Sequence, residues 1–388
     1  MKILVLNAGS SSLKYCLFNG KDTAVVANGI IENLTPHPDD DTQTCQDFNW
    51  ALQQVQKRLR QQGLANHLAD CDVVTHRVVH GGELFHQAVI IDDEVIAQIK
   101  ALSKLAPLHN PINLKPIQAL HKTHPKLLQV AIFDTAFHQT LPEKAYRYAL
   151  PKSLYQQHHL RRYGFHGSSH QVICRRYAKL NGMAFNEAYI ISIHLGNGAS
   201  ICAIEAGKSI DTSMGFTPLA GLIMGTRSGD LDPAIPVYLI NHLGYSADDV
   251  DQLLNTQSGL LGLAGHQDMR ELLALAATGD ADAILAIDCF VYRIQQQLGS
   301  YLAIMEKVQA VVFTGGIGEH SALIRAKVLQ GLSSRMGIKL DAQTNEAVQS
   351  NKEVKISQAD SLIACWVIPT QEEWEMAQQT LSLLHQAQ

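Results

Sequence analysis

Two stretches of this chain read as copies of each other. KILVLNAGSSSLKYCLF begins at Lys2 and YIISIHLGNGASICAIE begins at Tyr189. Each is an apolar run, a short turn of glycine, serine and asparagine, and a second apolar run. Laid over one another, Asn7 meets His194, Gly9 meets Gly196 and Ser10 meets Asn197. Any two hairpins share some of this look. Here, however, both copies open with a run typical of a central strand, and they lie nearly half the chain apart. A chain of 388 residues is also long for one hydrophobic core. These features together predict a duplicated domain, each copy offering one glycine-rich turn to a shared cleft.

The segments between the copies fit that frame. The strand-like runs CDVVTHRVV, QVAIFD, AVVFTG and SLIACWVIP alternate with amphipathic segments such as FNWALQQVQKRLRQQG, SSHQVICRRYAKLNG and DAILAIDCFVYRIQQQLGSYLAIMEKV. Strands alternating with helices predict an α/β protein with largely buried sheets. Caps are expected at Ser168, Gly63 and Pro233, and Thr370 with Glu373 has capping-box spacing. A net charge of −5 without a Lys/Arg-dense segment argues against a nucleic-acid partner. The N-terminal apolar run stops at Asn7 and reads as a first strand, with no signal-peptide pattern. Seven cysteines, odd in number and never spaced C-x-x-C, suit reduced thiols in a cytoplasmic protein. Among 18 histidines no H-E-x-x-H occurs, and His76 and His80 sit in a β-branched run where that spacing does not bring them together.

Three turns are compatible with phosphate. NAGSSSLK, Asn7 to Lys14, combines backbone N–H groups, hydroxyls and a lysine, though it is not a Walker A loop. HLGNG spans His194 to Gly198, and TGGIGE follows a strand and opens a helix. Each alone has an ordinary structural explanation; three in one chain weigh more.

MGFTPLAGLIMGTRSGDLDP, Met214 to Pro233, holds Arg227 in an apolar, glycine-rich setting. Pro218 and the glycines break it well short of the ~20 apolar residues of a spanning helix. It reads as a loop presenting one cation, with Asp230 and Asp232 placed to orient it. RRYGFHGSSH sets His166 before a helix, and FDTAFHQTLP sets Asp134 at a strand end, where carboxylates of open α/β sheets reach a cleft. In VIPTQEEWE, Glu372 is not used by the capping box and is left to face a cation.

With these pieces in order, the chain resembles the acetate kinases over essentially its whole length. LVLNAGSSSLK, HRVVHGG, PLHNP, FDTAFHQTLP, RRYGFHGSSH, HLGNGAS, DTSMGFTPLAGLIMGTRSGDLDP, FTGGIGE and PTQEE are similar to that family's motifs, in its order. The resemblance implies the duplicated, ribonuclease H-like fold shared by sugar kinases, heat-shock chaperones and actin, with the active site in the cleft between the domains. It places the first domain at 1–138, with the helix 372–388 returning to it, and the second at 139–371. It implies reversible phosphoryl transfer between ATP and acetate, giving ADP and acetyl phosphate, with Mg²⁺ or its substitute Mn²⁺. It also implies a homodimer, and no membrane partner.

Carried over position by position, the resemblance assigns Asn7 and Glu372 to the metal and Lys14, Ser10 and Ser12 to the phosphates. ATP falls to His194, Leu195, Gly196, Asn197 and Gly198, to Asp268, Met269 and Arg270, and to Gly315, Gly316, Ile317, Gly318 and Glu319. Arg77 and Arg227 contact acetate and the moving phosphoryl group, Asp134 is an essential carboxylate and His166 a transition-state stabiliser. Val79, Leu108, Phe165 and Pro218 line the acyl pocket. Acetate is already an anion and needs no base, so the demand is charge neutralisation and in-line alignment. A planar guanidinium bridges a carboxylate and a phosphoryl oxygen, which a lysine does not. Asp134 then reads as orienting an arginine or assisting Mg²⁺. Ile112 and Gln371 depart from the family pattern. The rivals are a propionate kinase of the same family, against which Val79 weighs, and a non-catalytic nucleotide-binding relative.

Overall fold

The computed structural model describes residues 1–9, 11–20, 23–34, 47–330, 332 and 336–386. Ser10, assigned above to the phosphates, and Cys45 lie outside the described residues. The chain divides into two compact units, Met1–Gln139 with the segment from Gln371, and Thr140–Thr370.

The first unit is built on a six-stranded sheet of order β3-β2-β1-β4-β6-β5. Its strands are β1 (Lys2–Ala8), β2 (Ser12–Asn19), β3 (Val25–Glu32), β4 (Val73–Val78), β5 (Val89–Ile90) and β6 (Gln129–Phe133). β1, β2 and β3 form antiparallel hairpins, β4 and β6 run parallel to β1, and β5 is antiparallel to β6. β1 is apolar from Ile3 to Leu6 because both faces are covered there. Leu4 and Leu6 pack with Phe48, Leu52, Val55 and Leu59 of the helix Phe48–Gln61. Ile3 and Val5 pack on the other side with Met376, Ala377 and Leu381 of the helix Glu372–Gln386. The last helix therefore closes one face of the first unit's sheet. A hydroxyl pair, Thr75 with Thr380 at 2.8 Å, pins it to β4.

The second unit repeats the plan. Its strands are β7 (Ile190–Leu195), β8 (Ala199–Glu205), β9 (Lys208–Thr212), β10 (Ala310–Thr314), β11 (Val354–Lys355) and β12 (Ala364–Val367), in the order β11-β12-β10-β7-β8-β9. Read from the β9 edge, this is the order and direction of the first sheet strand for strand. β7, β8 and β10 are buried throughout but for Glu205. The duplication seen in the two hairpins thus extends to whole sheets.

Local signals held in part. Gly63 ends the helix Phe48–Gln61 at φ +70, its N–H donating to the Arg60 carbonyl. Ser168 does not cap its helix. That helix, Gly167–Leu180, begins earlier because His166 takes a left-handed φ of 56° and its carbonyl accepts from the His170 N–H. The proposed capping box of Thr370 and Glu373 does not form either. The last helix starts at Glu372, so Thr370 stands too early, and its hydroxyl meets that of Ser169 at 3.2 Å. His76 bonds Gln129, and the His80 ring accepts from the Gly82 N–H. Among the described residues no helix is long and apolar enough to cross a membrane.

Candidate active site

In the first unit, Asn7, Arg77 and Asp134 stand at the C-terminal ends of β1, β4 and β6. Lys14 lies opposite Asn7 on β2. Arg77 and Asp134 form a two-pronged pair, Nε to Oδ1 at 2.9 Å and Nη2 to Oδ2 at 2.7 Å, and Nη1 donates to Asn7 Oδ1 at 3.3 Å. The carboxylate is almost wholly buried, at 3% exposure, while the guanidinium keeps 22%. Burial works against the charge of Arg77, but Asp134, and then Glu372 and Glu373, hold it above the ordinary arginine range. Glu372, in the first turn of the last helix, is pushed above the usual carboxylate range by burial, with Arg77 opposing and Asp134 adding.

Two buried asparagines that sequence reasoning missed brace this end of β4. The side-chain oxygens of Asn113 and Asn110 accept from the N–H groups of Val79 and His80, each at 3.0 Å, and Asn113 Nδ2 donates to the Ala8 carbonyl. Both lie on the helix Asn110–Thr123, and their spacing within NPIN was the available signal. Val79 is buried and Leu108 is half exposed.

In the second unit, a cavity of about 510 Å³ gathers Gly196 and Asn197, Asp268 to Arg270, and Gly316 and Ile317. Gln267, Leu273, His320 and Ser321 complete its wall and were not foreseen. Gly315 is forced by geometry: at φ +76, a Cβ there would lie 2.7 Å from the Leu195 carbonyl oxygen. Gly316 faces open space, so backbone is presented bare to the cavity. The expected glycine loop is itself a short helix, Gly315–His320. Glu319 points its carboxylate at the N–H groups of Gly315 and Thr370, 3.0 and 2.9 Å away, and so ties the turn together. Arg325, fully buried and pushed down to about 10 by that burial, donates to the carbonyls of Gly318 and Glu319. Asp268 caps the helix Met269–Ala277, and Arg270 folds back onto it, holding its carboxyl down to about 2.

The turn that lines this cavity continues to Gly198, where Arg227 and His166 meet. A Cβ at Gly198 would lie 2.7 Å from Arg227 Nη2 and 3.3 Å from His166 Nε2. Arg227 Nη1 donates to the Pro218 carbonyl at 2.7 Å. The His166 ring stacks on His194 with centroids 4.3 Å apart, and its Nδ1 meets Ser200 Oγ at 2.9 Å. Phe165 is fully buried beside it in sequence. The aspartates after Arg227 serve the backbone, contrary to the orienting role expected of them. Asp230 accepts from the Gly221 N–H and Asp232 from the Ala234 N–H, each at 2.8 Å. Gly221 at φ +101 and Gly229 at φ +70 supply the bends that close the loop.

A family model described as the acetokinase family matches residues 2–378. The chain is 44% identical to an acetate kinase of Streptomyces avermitilis, covering 99% of this chain and 97% of that one. It is 46% identical to an acetate kinase of Coprothermobacter proteolyticus, covering 99% of each. Among solved structures, a Porphyromonas gingivalis acetate kinase superposes with a TM-score of 0.90 at 41% identity, covering 99% of both chains. A propionate kinase from Francisella tularensis superposes with a TM-score of 0.89, also at 41% identity, covering 97% of this chain and 98% of that one. Full-length similarity of this order leaves one conclusion: the chain belongs to the acetokinase family and is a kinase, a phosphotransferase.

Proposed function

We propose that this enzyme is an acetate kinase, moving the γ-phosphoryl group of ATP in line onto acetate, reversibly. The observation that carries the mechanism is the meeting of Arg227 and His166 over Gly198, on the same turn whose Gly196 and Asn197 line the cavity. Nucleotide seated there brings its phosphates toward a fixed cation and a ring nitrogen. Arg77 supplies the second guanidinium. Its pairing with Asp134 supports an orienting role for that carboxylate, since the acceptor is already an anion and no proton has to be removed. Lys14, Ser12 and Ser10 would attend the phosphates. Val79, Leu108, Phe165 and Pro218 are proposed to bound the acyl group.

Asn7 and Glu372 are oxygen donors suited to Mg²⁺, which takes few protein ligands and shares its shell with water and phosphate. The fit is electrostatic as well: Glu372 is a half-buried carboxyl near Asp134, held above the usual carboxylate range, and a cation would stabilise its ionised form. The ion, with Mn²⁺ as substitute, would neutralise charge on the nucleotide phosphates.

A homodimer is supported by the helix Ala234–Leu243. It buries none of its residues and exposes Ile235, Val237, Tyr238 and Leu243, an apolar face that a second copy would cover. The described cysteines are free thiols, which suits the cytoplasm.

The test is acyl phosphate formed from Mg-ATP and trapped with hydroxylamine, with acetate, propionate and butyrate in parallel. Preference for acetate is expected. One methylene is worth only about 1–3 kcal/mol in such a pocket, and the likeness to a propionate kinase makes that acid the second reading. Preference for propionate would keep the mechanism and overturn the pocket. No product with any acid, with ATP still bound, would leave a nucleotide-binding protein without this chemistry.

A further inference from the structure

We propose that Ser200, backed by His170 and Ser192, is the positioning residue that fixes which ring nitrogen of His166 carries the proton. The proposal rests on the reading that His166 faces the moving phosphoryl group. Ser200, on β8, is fully buried, and its Oγ stands 2.9 Å from His166 Nδ1 and 2.8 Å from His170 Nε2. A hydroxyl has one hydrogen, so it donates to one ring and accepts from the other. The direction is decided at the far end of the chain. His170 Nδ1 lies 2.9 Å from Ser192 Oγ, and the Ser192 side chain, also fully buried, has no other hydrogen-bond partner among the described residues.

If His170 donated to Ser192, the Ser192 hydrogen would be buried without an acceptor, at a cost of about 1–3 kcal/mol. In the opposite direction every hydrogen is used. Ser192 donates to His170 Nδ1, His170 Nε2–H donates to Ser200, and Ser200 donates to His166 Nδ1. The proton of the neutral His166 ring is then on Nε2, the nitrogen that lies toward Gly198 and Arg227. The left-handed backbone of His166, φ 56°, holds the ring in that attitude. Arg227 from the glycine-rich loop, His170 from the same helix and His194 from β7 are charged or titratable groups near the ring. Beside the permanent charge of Arg227, the relay keeps His166 a neutral one-proton donor, because charging Nδ1 would require all three bonds behind it to reverse.

The experiment is ¹⁵N NMR of protein labelled at histidine, with His166 assigned by its loss in His166→Gln, together with steady-state kinetics. In the wild type, His166 is expected protonated on Nε2 and bare on Nδ1. Ser200→Ala should average the two tautomers and lower kcat at least tenfold, short of the about 10²–10³ that outright loss of one preorganised donor costs. KM for ATP and for the acid should stay near wild type, and Ser200→Thr should recover part of kcat. Ser192→Ala, which touches neither His166 nor substrate, should move the same resonances and lower kcat by less. A wild-type His166 protonated on Nδ1, or a folded Ser200→Ala enzyme with wild-type kcat, overturns the relay. Should Ser200→Ala not fold, the wild-type spectrum and Ser192→Ala decide the matter. If His166→Gln keeps full activity, the catalytic reading fails, while the tautomer is still read from the wild-type and Ser192→Ala spectra.

Discussion

The two sheets share one plan and differ where it matters for chemistry. In the first, Leu6 pairs with His76 and His76 with Ala131; in the second, Ile193 pairs with Phe313 and Phe313 with Val367. One step further along, Asn7 matches His194, their hairpin partners Lys14 and Ser200 match, and Arg77 matches Thr314. Carried beyond the last pairs, the same register sets Asp134 against Thr370. The strand ends of the first unit therefore hold a lysine, an arginine and an aspartate where the second holds a serine and two threonines. Duplication supplied the scaffold twice, and the charge was placed on one copy. The second copy gets its cation from outside the sheet, through the loop that carries Arg227.

That difference predicts unequal consequences. Arg227→Ala should cost the most, about 10³-fold or more in turnover, the scale of arginines that stabilise a transferring phosphoryl group. Its side chain meets Pro218 and Gly198 and does not line the nucleotide cavity, so ATP affinity should change little. Hydroxamate formation and calorimetric ATP titration read the two separately. Unchanged turnover would remove Arg227 from the chemistry and leave the second unit a nucleotide holder only.

The matched pair of positions gives the next test. Asp134→Ala strands Arg77 among buried groups, and breaking a buried pair from one side costs about 3–5 kcal/mol. With the guanidinium partly exposed, the lower end is expected. Thr370→Val, at the equivalent register, removes one hydroxyl contact and should cost about 1 kcal/mol or less. Urea unfolding of both variants measures the ratio. Equal losses would mean that the ion pair contributes no more than its neutral counterpart.

Much of this architecture was legible because central strands covered on both faces must be apolar throughout, and glycine turns punctuate them. KILVLN and YIISIH announced β1 and β7, and the duplication followed. The registers were not legible, since an apolar run pairs equally well one step along. Nor was the His166 cap, where a left-handed histidine displaced the obvious serine. Asn110, Asn113 and Arg325 escaped notice for a common reason. Each is defined by backbone groups it satisfies, some of them far along the chain, and a local pattern carries no record of a partner 105 residues away. The roles of the candidate site residues came from family resemblance. Arg227 was conspicuous by its setting alone, whereas the duties of Asp230 and Asp232 became visible only with the loop folded.

His76 and Phe313 carry the comparison into pH. Both are buried at one register, but only His76 titrates, and burial pushes it down from 6.5 to about 4 against the Gln129 bond. Between those values the unfolded chain binds the proton and the folded chain does not. Stability from this group is complete above 6.5, falls as pH is lowered, and is down by up to about 3 kcal/mol near pH 4. His76→Phe, copying the second sheet, should flatten that part of the stability–pH curve whatever offset overpacking adds. An unchanged slope between pH 6.5 and 4 would assign the acid sensitivity to groups other than His76.

The smallest expected effect is also the most selective. Gly198→Ala adds one methyl group where Arg227 Nη2 would lie 2.7 Å away and the His166 ring 3.3 Å away. The crowded atom is the far end of a long side chain, so the fold can yield by moving it, and unfolding free energy should change by well under 1 kcal/mol. The displaced guanidinium is the cost: about tenfold in kcat, or roughly 1.4 kcal/mol of transition-state stabilisation. Gly196, two residues earlier, would place its methyl group 3.4 Å from the Gly198 carbonyl oxygen and touch neither Arg227 nor His166. Gly196→Ala should therefore act on nucleotide KM, through the cavity it lines, and leave kcat nearly intact. If both substitutions moved the same parameter, the turn would be one undivided nucleotide clamp. Separate effects would show a single hairpin of the duplicated fold divided between holding the nucleotide and positioning Arg227.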